Sequence, residues 1–281
     1  MQFLQPASLR EALEMKAAHP DAVPIQGGTD VMVEINLDHR RPAALLDLTR
    51  VTEISDWTLD RDNVLHIGAG VTYTRIIDEI GDATPGLAIA SRTVGSPQIR
   101  NRGTVGGNLG TASPAGDAHP VLLASDATVQ LASISGARSL PVRDFFVGPK
   151  KNAMRPDELI TGVSIPKAAG GQQFSKVGTR NAMVIAVCSF AVDVNHERGK
   201  VGTGIGSAGP TPLRAPEAEA FIAGELDWSN RKTPSAAVLE RFGELVAAAA
   251  KPIDDIRGLA AYRRHALAVM ARRCFAWAWA A

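Results

Sequence analysis

The chain has 281 residues, 45% of them hydrophobic, and a mean hydropathy of zero, enough to bury a core in one large domain or two to three small ones. Thirty basic side chains against 29 acidic ones leave a net charge of +1. No field gathers a polyanion, and no aromatic-and-basic strip is present, which argues against nucleic acid as a ligand.

Ser8-Leu9-Arg10-Glu11 reads as a capping box opening a helix that ends near His19-Pro20. A short strand is predicted at Val23–Ile25, and it runs into a glycine turn, P-I-Q-G-G-T-D, from Pro24 to Asp30. Residues 31–37 read as a helical turn or a short strand, and 44–48 as another strand. Residues 1–55 thus alternate helix and strand, an α/β unit that favours parallel pairing.

In residues 56–169 a strand is predicted at His66-Ile67, a helix from Thr72 or Thr74 to Ile80, and another from Pro85 toward Val94. The segment I-R-N-R-G-T-V-G-G-N-L-G-T-A-S-P-A-G-D, Ile99 to Asp117, reads as too glycine-rich for a helix. Asp117 is placed to cap a helix over Val121–Ala124. Strands follow at 128–132, 138–142 and 159–165, with Asp144-Phe145-Phe146 as a docking turn.

Gly170-Gly171 opens a third region, 170–281. Strands at 173–177, 184–194 and 201–205, with a turn at 195–199, form an antiparallel meander. Helices are predicted at 216–223, 235–249 and 259–279, the last with an apolar face of Leu267, Met270, Cys274 and Trp277. Cys188 lies in the apolar run V-I-A-V-C-S-F-A-V and reads as a buried thiol. It is far from Cys274, with no C-x-x-C neighbour, which argues against a disulfide and against an iron–sulfur cluster or zinc held by this chain alone. Arg272 and Arg273 break the last apolar run, so nothing approaches the ~20 residues of a membrane span. The N-terminus shows no export signal, and the cytoplasm is the expected location.

Two glycine turns suit a ligand with a long phosphate-bearing middle, such as a dinucleotide. The amides of Gly106, Gly107 and Asn108 can meet an anion, and Thr104, Thr111 and Ser113 offer hydroxyls. No G-x-G-x-x-G with a following acid supports a Rossmann site, and neither a P-loop nor a G-x-S-x-G elbow is present. The six histidines show no metal spacing. His119, just after Asp117, is within reach of a ligand, with a surface or packing role the favoured reading, and Arg100 and Arg102 either flank a solvated loop or face a phosphate or partner.

Together the two glycine segments resemble the flavoprotein (medium) subunit of molybdenum hydroxylases, the carbon monoxide dehydrogenase and xanthine dehydrogenase family. Three further segments resemble the family in the same order: D-E-L-I-T-G-V-S-I-P, F-S-K-V-G-T-R-N-A-M-V-I-A and G-I-G-S-A-G-P-T-P-L-R-A-P-E-A-E. The resemblance spans essentially the whole chain, and T-V-G-G-N…A-S-P…D is its specific part. It implies an α+β protein. Two α/β subdomains, 1–55 and 56–169, would form an FAD-binding fold of the vanillyl-alcohol-oxidase/PCMH type. Residues 170–281 would form a C-terminal domain of small antiparallel sheet and helix bundle.

Carried over by position, Pro24, Ile25, Gln26, Gly27, Gly28, Thr29 and Asp30 would wrap the FAD pyrophosphate. Thr104, Val105, Gly106, Gly107 and Asn108 would form the second wall, with Thr111 and Ser113 beyond it and Asp117 on ribityl or ribose hydroxyls. Val94 and Ile160 match apolar positions that line the cofactor. Lys176 matches a lysine near the flavin, where a cation would stabilise the reduced anionic ring, and Arg180 matches an arginine on the flanking loop. Some members carry histidine or serine where this chain has Thr29 and Asp30. Without a histidine in that turn, the expected FAD is non-covalent. An aromatic residue placed over the flavin by some relatives appears here as Met183 or a neighbour.

The resemblance implies electron transfer from two-iron clusters, through FAD, to an external acceptor: NAD, a quinone or oxygen. A small iron–sulfur subunit and a large molybdopterin subunit would complete the complex, as a dimer of heterotrimers. Catalytic residues for substrate hydroxylation are expected elsewhere. The alternatives are a self-sufficient flavin oxidase or dehydrogenase, and a non-enzymatic assembly subunit with a decayed flavin site.

Overall fold

In the computed structural model, which describes residues 1–281, the first sheet is parallel. Strands β1 (Gln2–Leu4), β2 (Val23–Ile25) and β3 (Ala44–Asp47) lie in the order β1-β3-β2, joined through helices α1 (Leu9–Ala18) and α2 (Val31–Asn36). The capping box is present: Glu11 N–H donates to Ser8 Oγ at 3.2 Å, and the Glu11 carboxylate accepts from Ala7 N–H at 2.7 Å. Residues 31–36 settle as helix. Strand β1 has no signal in the sequence, because only Leu4 of its three residues is buried.

The second unit runs through β4 (Trp57–Leu59), β5 (Val64–Gly68), α3 (Tyr73–Glu79), α4 (Pro85–Arg92), α5 (Pro97–Arg100), α6 (Val105–Thr111), α7 (Ala118–Ala124), β6 (Thr128–Ser133) and β7 (Gly136–Pro141). It ends with α8 (Val142–Phe145), the hairpin β8 (Phe146–Gly148) and β9 (Lys151–Asn152), and β10 (Leu159–Pro166). Its sheet is antiparallel, ordered β4-β5-β10-β6-β7.

The glycine segment corrects a sequence-based expectation, because it contains α6. Glycine costs ~1 kcal/mol per helical position, and packing overrides that cost here. Val105 and Leu109 are buried in the core, and Thr104 caps the helix, its Oγ1 accepting from Gly107 N–H at 2.9 Å. Gly106 lets α6 lie on the turn after β5, where a Cβ would sit 2.8 Å from the Ala69 Cα. Asp117 precedes α7 as expected but makes no side-chain cap bond. Its carboxylate turns toward α4 and the third sheet instead.

That third sheet, β11 (Gln172–Val177), β12 (Cys188–Asn195) and β13 (Lys200–Gly206), is an antiparallel meander. Alternation gives it two unlike faces. Cys188, Phe190, Val192, Val194, Val201 and Ile205 join the core formed with α9 (Pro216–Glu225), α10 (Ala236–Ala249) and α11 (Ala260–Ala280). The other face carries Ser189, Ala191, Gly202 and Gly204, small enough for α7 to lie directly on the strands. A Cβ at Gly202 would stand 2.9 Å from the Ala124 carbonyl carbon, and one at Gly204 2.5 Å from that of Pro120.

Two more expectations are corrected here. Strand β12 starts at Cys188, not 184, because Met183 adopts φ +50° and Val184 O is drawn to Lys176. On α11 the buried face is Leu267, Ala271, Cys274 and Ala278, at spacings of four and three, and this leaves Trp277 54% exposed. Trp279 is the buried tryptophan, stacked on Phe275 and tilted against His196. No helix is long and apolar enough to cross a membrane.

Candidate functional site

A cleft of about 690 Å³ opens between the first and second units, within the usual range for small-molecule sites. Its first wall leaves the C-terminal end of β2 and turns through Gly28, at φ +73°, into α2. The amides of Gly27, Gly28, Thr29 and Asp30 have no acceptor within the chain. In the second wall, Gly106 N–H is likewise free at the start of α6. The walls meet backbone to backbone at Gly27, where a Cβ would sit 2.6 Å from the Arg102 carbonyl carbon. Gly107 faces the open cleft: a Cβ there would meet only Thr104 Oγ1, at 3.2 Å.

Of the residues singled out in the sequence, Pro24, Ile25, Gln26, Gly27, Gly28, Thr29 and Asp30 line this cleft on one side. Thr104, Gly106, Gly107, Asn108, Thr111 and Ser113 line it on the other, and Val94 and Ile160 add apolar surface. The two polar walls touch where Thr111 Oγ1 donates to Asp30 Oδ2 at 3.1 Å. Sequence reasoning missed Tyr73, Glu34, Arg40 and Lys150, which also line the cleft. A signal for Tyr73 was present in the Thr72 cap before it; the charged trio is assembled only by folding.

Four singled-out residues lie outside the lining. The Val105 side chain is in the core. Arg180 is exposed, with its guanidinium on Met183 O. Asp117 and Lys176 form a buried ion pair behind the cleft, 2.6 Å apart, with side chains 9% and 10% exposed. Lys176 Nζ also donates to Thr93 O at 2.9 Å and Val184 O at 3.1 Å, so its three protons are all engaged by the chain. The lysine thereby fastens α4, α7 and the 178–187 loop to β11. Burial pushes the Asp117 carboxyl above the usual range, against the opposing pull of Lys176. Its Oδ2 accepts from Lys176 and Thr93, while Oδ1 has no partner.

His119 is a packing residue, neither on the surface nor in the cleft lining. It is fully buried, 4.6 Å from the Phe146 ring, and its Nε2 lies 3.2 Å from Asn108 O. Burial draws its pKa down to about 4, so the ring is neutral.

The residues present fit FAD. Free amides on both walls suit a diphosphate, and Gly107 leaves space that a Cβ would fill. Val94, Ile160 and Ile185 offer apolar contact for flat rings. Gln26 Oε1 and Asn108 Oδ1, on two residues that line the cleft, are buried acceptors with no partner in the chain, a costly state that sugar or ribityl hydroxyls would relieve.

Comparison with known proteins gives the same picture. Residues 1–168 match the family described as the FAD binding domain in molybdopterin dehydrogenase, and residues 173–278 match the CO dehydrogenase flavoprotein C-terminal domain. The chain is 36% identical over 236 residues to the nicotinate dehydrogenase FAD-subunit of Eubacterium barkeri, covering 79% of each. It is 30% identical to the glyceraldehyde dehydrogenase medium chain of Sulfolobus acidocaldarius, over 97% of this chain and 96% of that one. Carbon monoxide dehydrogenase from Hydrogenophaga pseudoflava superposes with a TM-score of 0.91 at 26% identity, over 100% of this chain and 97% of its own.

Proposed function

This chain belongs to the FAD-binding family of the molybdopterin dehydrogenases, and we propose that it is the FAD-carrying, electron-relaying subunit of a multi-subunit molybdenum hydroxylase. The observation that carries this reading is the pair of glycine walls, locked together at Gly27 and Arg102 with their free amides beside one cleft. The redox chemistry would be that of bound FAD, electron transfer between an iron–sulfur partner and an external acceptor.

The chain's own residues bind and orient. The free amides of Gly27, Gly28, Thr29, Asp30 and Gly106 hold the diphosphate, while those of Gly107 and Asn108 are spent on Thr104; Val94 and Ile160 bound the flat rings, and Thr111 and Ser113 supply hydroxyls. Lys176 acts at one remove: paired with Asp117 and bonded to Thr93 O, it fixes the end of α4 and the start of α7 behind the cleft, and with them Val94 in its lining. Arg180 flanks the ring end on the 178–187 loop, which also brings Ile185 to the cleft.

The partners are a small iron–sulfur chain and a large molybdopterin chain, as a dimer of heterotrimers in the cytoplasm. Exposed Ile253, Ile256, Leu259 and Tyr262 offer apolar docking surface, and two buried free cysteines suit a reducing compartment.

Purification under native conditions tests the proposal. A yellow chain carrying one FAD, together with an iron–sulfur chain and a molybdopterin chain, is the expected result. Colourless protein that takes up no FAD refutes it. A yellow chain that oxidises an organic substrate alone makes it a self-sufficient flavoenzyme.

A further inference from the structure

The charged residues at the cleft mouth have no part in the function proposed above. Lys150 Nζ donates to Glu34 Oε1 at 2.8 Å, and Arg40 Nη1 lies 3.5 Å from Glu34 Oε2. All three residues line the cleft, yet Glu34 and Lys150 are 116 positions apart and come from opposite walls. Glu34 is on α2, which grows directly out of the first glycine turn. Lys150 is at the tip of the β8–β9 hairpin, and that hairpin is tied to the far end of α6. Lys150 N–H donates to Ala112 O at 3.2 Å, and Asn152 Nδ2 donates to Gly110 O at 3.0 Å.

These links close a ring around the cleft. It runs from the first turn through α2 to Glu34, across to Lys150, and along the hairpin and α6 to the second turn. It returns through the contact of Gly27 with Arg102. Lys150 itself adopts φ +53°, a conformation unfavourable for a residue that carries a Cβ. That conformation is kept where it aims the ammonium across the opening. The pairing also holds the Glu34 carboxyl below its ordinary range and Lys150 above its own, each chiefly through their hydrogen bond.

We propose that the Glu34–Lys150 ion pair, backed by Arg40, is a strap that closes the cleft over FAD and governs how fast the cofactor leaves. This rests on the FAD reading above. Release then requires the pair to open, so the rate carries the pair's energy and its sensitivity to salt.

The test follows flavin fluorescence after dilution of the full-length chain loaded with FAD. Glu34→Gln removes the partner of both cations, and about threefold to fivefold faster release is expected, the range of a half-exposed pair. Lys150→Gln should act less strongly, because Arg40 still faces Glu34, and adding it to Glu34→Gln should speed release no further. Added potassium chloride should speed release from the wild-type chain and leave Glu34→Gln unchanged. Wild-type release rates in both single variants, or an equal salt response in all, overturn the strap while the FAD reading stands. A chain that takes up no FAD overturns both.

Discussion

Alanine at Gly107 and alanine at Gly27 should separate cofactor space from protein packing. At Gly107 the added carbon enters the open cleft and meets only Thr104 Oγ1, at 3.2 Å. The apoprotein should therefore keep its stability or gain up to ~1 kcal/mol, because alanine suits α6 better than glycine. FAD would lose the space that carbon fills. An overpacking cost of ~1–3 kcal/mol corresponds to roughly fivefold to a hundredfold weaker binding. At Gly27 the carbon would lie 2.6 Å from the Arg102 carbonyl carbon, whereas ordinary contact begins at 3.4 Å. The Arg102 carbonyl oxygen is closer still, so the two backbones must part by more than about 0.8 Å. This costs the apoprotein itself ~1–3 kcal/mol and moves one set of amides away from the other. Urea unfolding of the apoproteins and FAD titration by fluorescence quenching read both effects. If Gly107→Ala binds FAD as tightly as the wild type, α6 is not the cofactor wall. If Gly27→Ala is as stable as the wild type, the two turns are not locked together.

Other consequences follow from buried contacts. Lys176→Met leaves Asp117 buried without its cation and should cost ~3–5 kcal/mol in urea unfolding, with part recovered by adding Asp117→Asn. A loss below ~1 kcal/mol would mean that the pair fastens nothing. His119 titrates near 6.5 in the unfolded chain and at about 4 when folded, so the unfolded chain binds the proton first as pH falls. Stability should drop from about pH 6.5 to 4, at up to ~1.4 kcal/mol per pH unit from this residue. His119→Gln should flatten that part of the profile, and equal slopes would contradict the neutral buried ring. Gly204→Ala should lift α7 from β13, because its Cβ would stand 2.5 Å from the Pro120 carbonyl carbon. Melting temperature and FAD affinity should fall together, since α7 begins beside Asp117; an unchanged affinity would detach that helix from the site.

Much of the site was legible because its chemistry is carried by the backbone. Gly27, Gly28, Gly106 and Gly107 announce themselves as a turn and as places of close approach, and most neighbours singled out with them line the cleft. The Ser8 capping box and the alternation of β12 are equally local signals. The family resemblance supplied the cofactor and the order of the regions, which the matches at 1–168 and 173–278 support.

What stayed hidden depends on groups far apart in the chain. Local propensity argues against a helix at Val105–Thr111, and the burial of Val105 and Leu109 against other elements decides otherwise. Asp117 reads as a cap, yet its partner is a lysine 59 residues later that binds three elements at once. Trp277 fits a three-residue spacing, but the face set by Ala271, Cys274 and Ala278 is the buried one, and the interior goes to Trp279. The sequence by itself determined where the first turn and the close backbone approaches lie, since Gly28 takes a positive φ and a Cβ at Gly27 or Gly106 would strike a neighbouring backbone. The tertiary structure decided which charges meet across the cleft, because a salt bridge depends on distance in space and not on position along the chain.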